Sequence, residues 1–181
     1  DIDAALRVNL NMEETRELFE AAITSVDKPY ITESLIGVAD ACADMLYVIY
    51  GAGITYGIAL VHSPSRKTSF LFGYGHALRE FPKENLSHLL HFGMKANERY
   101  AGAVIKKDLK AIEDALNNLL DYTHAVIDAC GIKIDPVFRE VQRSNMSKVW
   151  EDGSVRRRDD GKILKPPTYS PADLKKVLNL Q

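Results

Sequence analysis

At 181 residues, 46% of them hydrophobic and 27% charged, the chain is long enough to bury a real core in one compact domain without disulfide or metal staples. A formal net charge of -2 and a pI near 6.2 exclude a general attraction to nucleic acid or to an anionic membrane, which would need a basic stripe, while leaving a free nucleotide as a compatible ligand. No apolar run approaches the roughly 20 residues that span a bilayer and the first residues lack a signal pattern, so a cytoplasmic protein is expected, with Cys42 and Cys130 as reduced thiols.

In chain order, apolar positions from Leu6 to Ile23 recur at helical spacing and Pro29 follows as a stop, which predicts a first helix. Thr32 is a candidate N-cap for a second helix that runs to Tyr56 and ends at Gly57. That helix is apolar nearly all round and should be central. Residues 62–82 contain Ser63-Pro64-Ser65 and Gly73-Tyr74-Gly75 and read as an irregular connection. Helical periodicity resumes from Asn85 to Val104 and from Lys107 to Cys130, with Gly131 expected in the left-handed region past a helix end. Asp135-Pro136 reads as an N-cap followed by a proline at the first helical position, opening a helix to about Lys148. From Glu151 to Pro167 the chain is charged and looped, and Ser170-Pro171-Ala172-Asp173 starts a short last helix toward Leu178. No convincing strand pair is present, so the fold is expected to be all-α.

Two runs invite comparison. Ala39–Ile58 and Glu113–Ile132 are both helical stretches ending in Gly-Ile, with Asp40-Ala41 set against Asp114-Ala115 and five of 20 positions identical. A helix pair ahead of each run would make two halves of a four-helix core, the second having lost most of its carboxylates. Two unrelated amphipathic helices ending in glycine would give the same picture. The expected organisation is a single domain over 1–150, with 61–130 as a helical insert or a degenerate second half, followed by a 151–181 tail with a short helix.

Three carboxylates, Glu13, Glu14 and Glu17, cluster at i, i+3 and i, i+4 on the first helix, where they repel one another without a cation; a solvated acidic face near a helix start would look the same. Asp40 and Asp44 stand four apart in an otherwise apolar stretch, and a buried carboxylate is costly unless it is paired or bound to metal. Salt bridges to Arg7 or Arg16 are one way to satisfy them. The other is an oxygen-only cage between two adjacent helices, the environment preferred by Mg²⁺ or Mn²⁺, whose ions would hold a phosphate chain and activate water. Arg143-Ser144-Asn145-Met146-Ser147-Lys148, with Lys162 and Lys165 in the tail, supplies cations and hydroxyls suited to phosphate oxygens, or is an ordinary solvated helix end.

Three segments give the chain a resemblance to the MazG-like all-α nucleoside triphosphate pyrophosphohydrolase superfamily, in its phage and bacterial phosphoribosyl-ATP pyrophosphohydrolase-like branch. Glu13-Glu14-Thr15-Arg16-Glu17 fits the family's E-E-x-x-E, and Ala39 to Gly51 fits its A-D-x-x-A-D-x-L-Y-V-x-Y-G helix. The most specific is Asp135 to Lys148, continued by Asp160 to Pro167 and Tyr169-Ser170-Pro171. The resemblance implies Mg²⁺-dependent attack on the α-phosphorus of an NTP or dNTP, releasing pyrophosphate. It implies Glu14, Glu17 and Asp40 as metal ligands, with Asp44 able to join them. Glu13 would be a ligand or the group that orients the attacking water, and Lys148 a phosphate contact; Arg143, Asn145 and Lys165, from the residue types above, complete the expected substrate-binding set. A homo-oligomer, dimer or tetramer, is expected. The expected role is nucleotide-pool control, removing a noncanonical nucleotide or, in a phage setting, supplying dGMP from dGTP.

The family's E-x-x-D places a glutamate where this chain has Gly37, so either Asp44 or Glu33 compensates or metal occupancy is reduced. Gly37 is also the best support for the alternative, a catalytically inactive nucleotide-binding or regulatory helical protein. The intervening residues 61 to 130 are a second departure; Phe70, Phe72, Tyr74 and Phe92 in them are candidates for stacking on a base, or core residues. His88 and His91 lack a third ligand nearby, so zinc is not expected.

Overall fold

Helical periodicity is realised in six segments of a computed structural model that describes residues 2–27, 32–61, 83–158 and 163–180. They are α1 (Ile2–Asp27), α2 (Thr32–Tyr56), α3 (Lys83–Lys106), α4 (Leu109–Cys130), α5 (Ile134–Met146) and the single turn α6 (Leu174–Val177). The sole β pairing among the described residues is an isolated antiparallel bridge between Arg157 and Ile163, so the fold is all-α. The expected connection over 62–82 with Phe70, Phe72 and Tyr74, the His88 side chain and Lys162 lie outside the described residues.

Short connections make α1 pair with α2 and α3 with α4, and the two pairs stack with α1 on α3 and α2 on α4. Helix α5 lies on α2, and α6 touches both α5 and α2. Helix α2 is therefore surrounded, which explains why Val38, Ala39, Cys42, Met45 and Ile49 are all fully buried. By length and composition alone α2 would suffice to cross a membrane, but more than half of its most apolar window is buried inside the protein, so packing accounts for its apolarity.

Termini of the helices follow local chemistry with two departures from expectation. Lys107, with φ 55°, ends α3 in the left-handed region, and Asp108 caps α4 by accepting from the Ala111 N–H at 3.0 Å, so α4 starts at Leu109. Asp135 does not cap α5: Lys133 holds that position without a side-chain bond. Ile134 is already helical, so Asp135 and Pro136 sit within the first turn, where a carboxylate suits the helix dipole and a missing N–H costs nothing. At the last turn, Asp173 caps α6 by accepting from the Lys176 N–H at 3.1 Å.

Candidate active site

Helix α1 brings Glu13, Glu14 and Glu17 beside the part of α2 that carries Glu33, Asp40 and Asp44. Glu17, Glu33, Gly37, Asp40 and Asp44 line one cavity of about 450 Å³ between the two helices. Half-buried Glu14 lies within the field of the others: its carboxyl is pushed up from 4.5 to about 8, first by burial and then by repulsion from Asp44, Glu17, Glu13 and Asp40. Its Oε2 is buried without a hydrogen-bond partner. Burial first, and then Asp40, raise Asp44 from 3.8 to about 6, opposed by a hydrogen bond from Asn145 and by the Lys148 charge. Asp40 is raised by burial and eased back by Lys148. Five carboxylates thus shape one electrostatic environment that favours a proton or a cation.

Asp40 and Asp44 were expected to be buried; taken as whole residues Asp40 is exposed and Asp44 half-buried, because the face of α2 they share opens onto cavities, while their carboxyl groups are recessed enough for desolvation to raise both. Nor are they neutralised by arginine. Arg16 pairs with Glu20 at 3.6 Å and the Arg7 guanidinium lies against Gly51, and among the described residues neither aspartate forms an ion pair. A Cβ at Gly37 would meet nothing within 4 Å, so the missing glutamate leaves open space, with Glu33 one turn away on the same cavity.

The same two aspartates line a second cavity of about 450 Å³ whose far wall includes Ser144, Asn145, Lys148, Tyr169 and Lys175. Lys148 Nζ donates to Asn145 Oδ1 at 2.6 Å, and the Asn145 amide donates to Asp44. One amide therefore separates the lysine cation from the carboxylates. Lys165 is exposed, with its ammonium 4.4 Å from the Tyr169 ring centroid. Arg143 does not face the cavity: its guanidinium holds Glu140 at 2.9 and 2.8 Å and donates to the Pro171 carbonyl at 2.8 Å. Sequence reasoning missed Lys175 and Tyr169 as site residues, which only the return of the tail over α5 brings to the cavity. Phe92, a stacking candidate, packs instead toward Tyr122 with ring centroids 6.3 Å apart.

Among the described residues no three Asp, Glu, His or Cys side chains are drawn together around a single point as they stand. In chemistry the set nonetheless fits Mg²⁺ or Mn²⁺: the donors are hard oxygens, they repel one another, and the buried Glu14 Oε2 has no other partner.

Comparison with known proteins bears on these same helices. Residues 2–63 match the family model described as Phosphoribosyl-ATP pyrophosphohydrolase, a match that holds α1, α2 and all five carboxylates and ends before α3. Over 153 residues the chain is 31% identical to an uncharacterized protein of Acanthamoeba polyphaga mimivirus, an alignment that covers 80% of this chain and 58% of that protein. The chain thus spans a little over half the length of the curated relative it matches. No solved structure matches. The helix pair that carries the carboxylates is thus the part of the chain that is similar to the phosphoribosyl-ATP pyrophosphohydrolase family.

Proposed function

We propose that the protein is a Mg²⁺- or Mn²⁺-dependent nucleoside triphosphate pyrophosphohydrolase, acting in the cytoplasm in nucleotide-pool control and converting an NTP or dNTP and water to the monophosphate and pyrophosphate. The observation that carries the reading is the convergence of four carboxylates on a fifth, Glu14, whose carboxyl is pushed to about 8, across from the Lys148–Asn145 pair. Glu14, Glu17, Asp40 and Asp44 would hold the metal, which when bound supplies positive charge for phosphate oxygens and a more acidic water.

The remaining chemistry belongs to the chain's own side chains. Lys148 offers a cation, and Asn145 fixes its position while tying it to Asp44, so a phosphate chain is drawn between the acidic and basic walls. Exposed Glu13, beside Glu14 on α1, accepts the proton of the water that attacks the α-phosphorus. The bond from that phosphorus to the bridging oxygen breaks, and pyrophosphate leaves on the lysine side.

Pyrophosphate release from a panel of NTPs and dNTPs, dGTP included, with Mg²⁺ or Mn²⁺ tests this. One nucleotide should be cleaved to its monophosphate, and Glu17→Gln and Asp40→Asn should each lower kcat by ~100-fold or more while staying folded. The open space at Gly37 favours a second reading, an inactive nucleotide-binding module. No cleavage, with a triphosphate still raising the melting temperature, would establish that reading in place of the first.

A further inference from the structure

The groove between α3 and α4 matches the carboxylate cavity position by position. A shift of 74 residues takes Gly37, Asp40, Ala41 and Asp44 of α2 to Ala111, Asp114, Ala115 and Asn118 of α4; a shift of 82 takes Glu17 and Ala21 of α1 to Arg99 and Ala103 of α3. Every residue of the first cavity except Glu33 has a counterpart lining the second under these two shifts, and the second cavity, of about 570 Å³, is lined by no residue outside the set. The two shifts differ by eight (82 - 74), so the second hairpin simply turns eight residues sooner.

Three independent features obey the same shifts. The helix ends are equivalent: Gly57 and Gly131 have φ of 67° and 63°, and Ile58 N donates to Gly53 O at 2.8 Å as Ile132 N donates to Ile127 O at 3.0 Å. Burial is equivalent, since each buried residue of α2 other than Ser34 and Ala39 has a buried counterpart in α4. Finally, Thr15 and Asn97 are counterparts under the shift of 82, and they touch each other, Asn97 Nδ2 donating to Thr15 Oγ1 at 2.6 Å. Contact between counterparts is what a two-fold axis running between α1 and α3 requires.

Charge is what differs. Counterparts of Glu13, Glu14 and Glu17 are Lys95, Ala96 and Arg99, and the counterpart of Asp44 is Asn118. The one retained acid, Asp114, is held by Lys110 at 3.1 Å, and Lys110 stands where α2 has Ile36.

We infer that the α3/α4 hairpin is an internal copy of α1/α2, related to it by a pseudo-two-fold axis, which has lost four of the five clustered carboxylates, to lysine, alanine, arginine and asparagine, and whose groove no longer takes a divalent cation. Each chain then carries one metal pocket. The inference that the first pocket takes metal rests on the function proposed above; the inference that the second is its copy does not.

The test is Mn²⁺ titration of the full chain, followed by calorimetry and by the electron paramagnetic resonance signal of free Mn²⁺, with circular dichroism to verify folding. Four proteins are compared: wild type, Glu17→Gln/Asp40→Asn, Arg99→Glu/Lys110→Ile/Asn118→Asp, and the two sets combined; Arg99→Glu/Lys110→Ile serves if the triple change does not fold. The acidic changes should double the wild-type stoichiometry, and should restore binding to the Glu17→Gln/Asp40→Asn protein. If wild type binds no Mn²⁺ but the acidic variant does, the copy stands and the metal reading of the first pocket falls. A folded acidic variant that binds no more than its parent in both backgrounds overturns the copy. Undiminished binding by Glu17→Gln/Asp40→Asn overturns the inertness of the second groove.

Discussion

Glu14 is the residue on which the site's electrostatics meet. Its folded carboxyl titrates at about 8 against 4.5 in the open chain, and Asp44 at about 6 against 3.8. The folded state therefore keeps protons that the unfolded chain has released. The stability this contributes is fully present below the unfolded values and is lost as pH rises, through about 6 for Asp44 and about 8 for Glu14. With metal chelated, the melting temperature should fall between pH 5 and pH 8. Divalent affinity should rise over the same interval, because the cation competes with those protons. Glu14→Gln should flatten most of the melting slope above about pH 6. A melting temperature that does not change with pH would mean that the carboxylates do not converge on Glu14.

Helix α5 and the returning tail act as one element, fastened by a clasp at Arg143. Glu140 accepts from Arg143 at 2.9 and 2.8 Å and from the Asp173 N–H at 2.9 Å, and these bonds hold its carboxyl down at about 2. Arg143→Ala removes a solvent-exposed pair, which contributes little to global stability, so the melting temperature should move little. Local consequences should be larger: KM for the nucleotide should rise about three- to tenfold as Tyr169 and Lys175 lose their placement, and limited proteolysis should cut within 163–180 sooner. Unchanged KM and unchanged cleavage would mean the tail is held without the clasp. The extent of this helix was legible from its periodicity, and Asn145 and Lys148 from their motif. Its cap and the work of Arg143 were not. Which residue opens a helix depends on how the chain enters from Gly131, and the motif showed a cation at a helix end without showing that the Pro171 carbonyl comes back to meet it.

Two hairpins stacked about a pseudo-two-fold axis explain the whole molecule's division of labour: one keeps the acids, the other the shape. The paired Gly-Ile helix ends were visible in the sequence. The α1/α3 equivalence was hidden, because the turn is eight residues shorter in the second half (82 - 74) and the side chains that face the groove changed sign. Backbone geometry retains what charge has lost, so it provides the sharper check. Gly57 and Gly131 both sit in the left-handed region, and a Cβ added at either would meet nothing within 4 Å, so alanine there is opposed by backbone strain alone, about 1–2 kcal/mol. Urea unfolding of Gly57→Ala and Gly131→Ala should give equal losses in that range with unchanged m-values. The equality follows from the matching bonds that close the two helices, Gly57 N to Ile54 O and Gly131 N to Asp128 O, both 3.1 Å. A loss at one glycine and none at the other would show that the two ends bear load differently, and the equivalence of the hairpins would then be one of outline only.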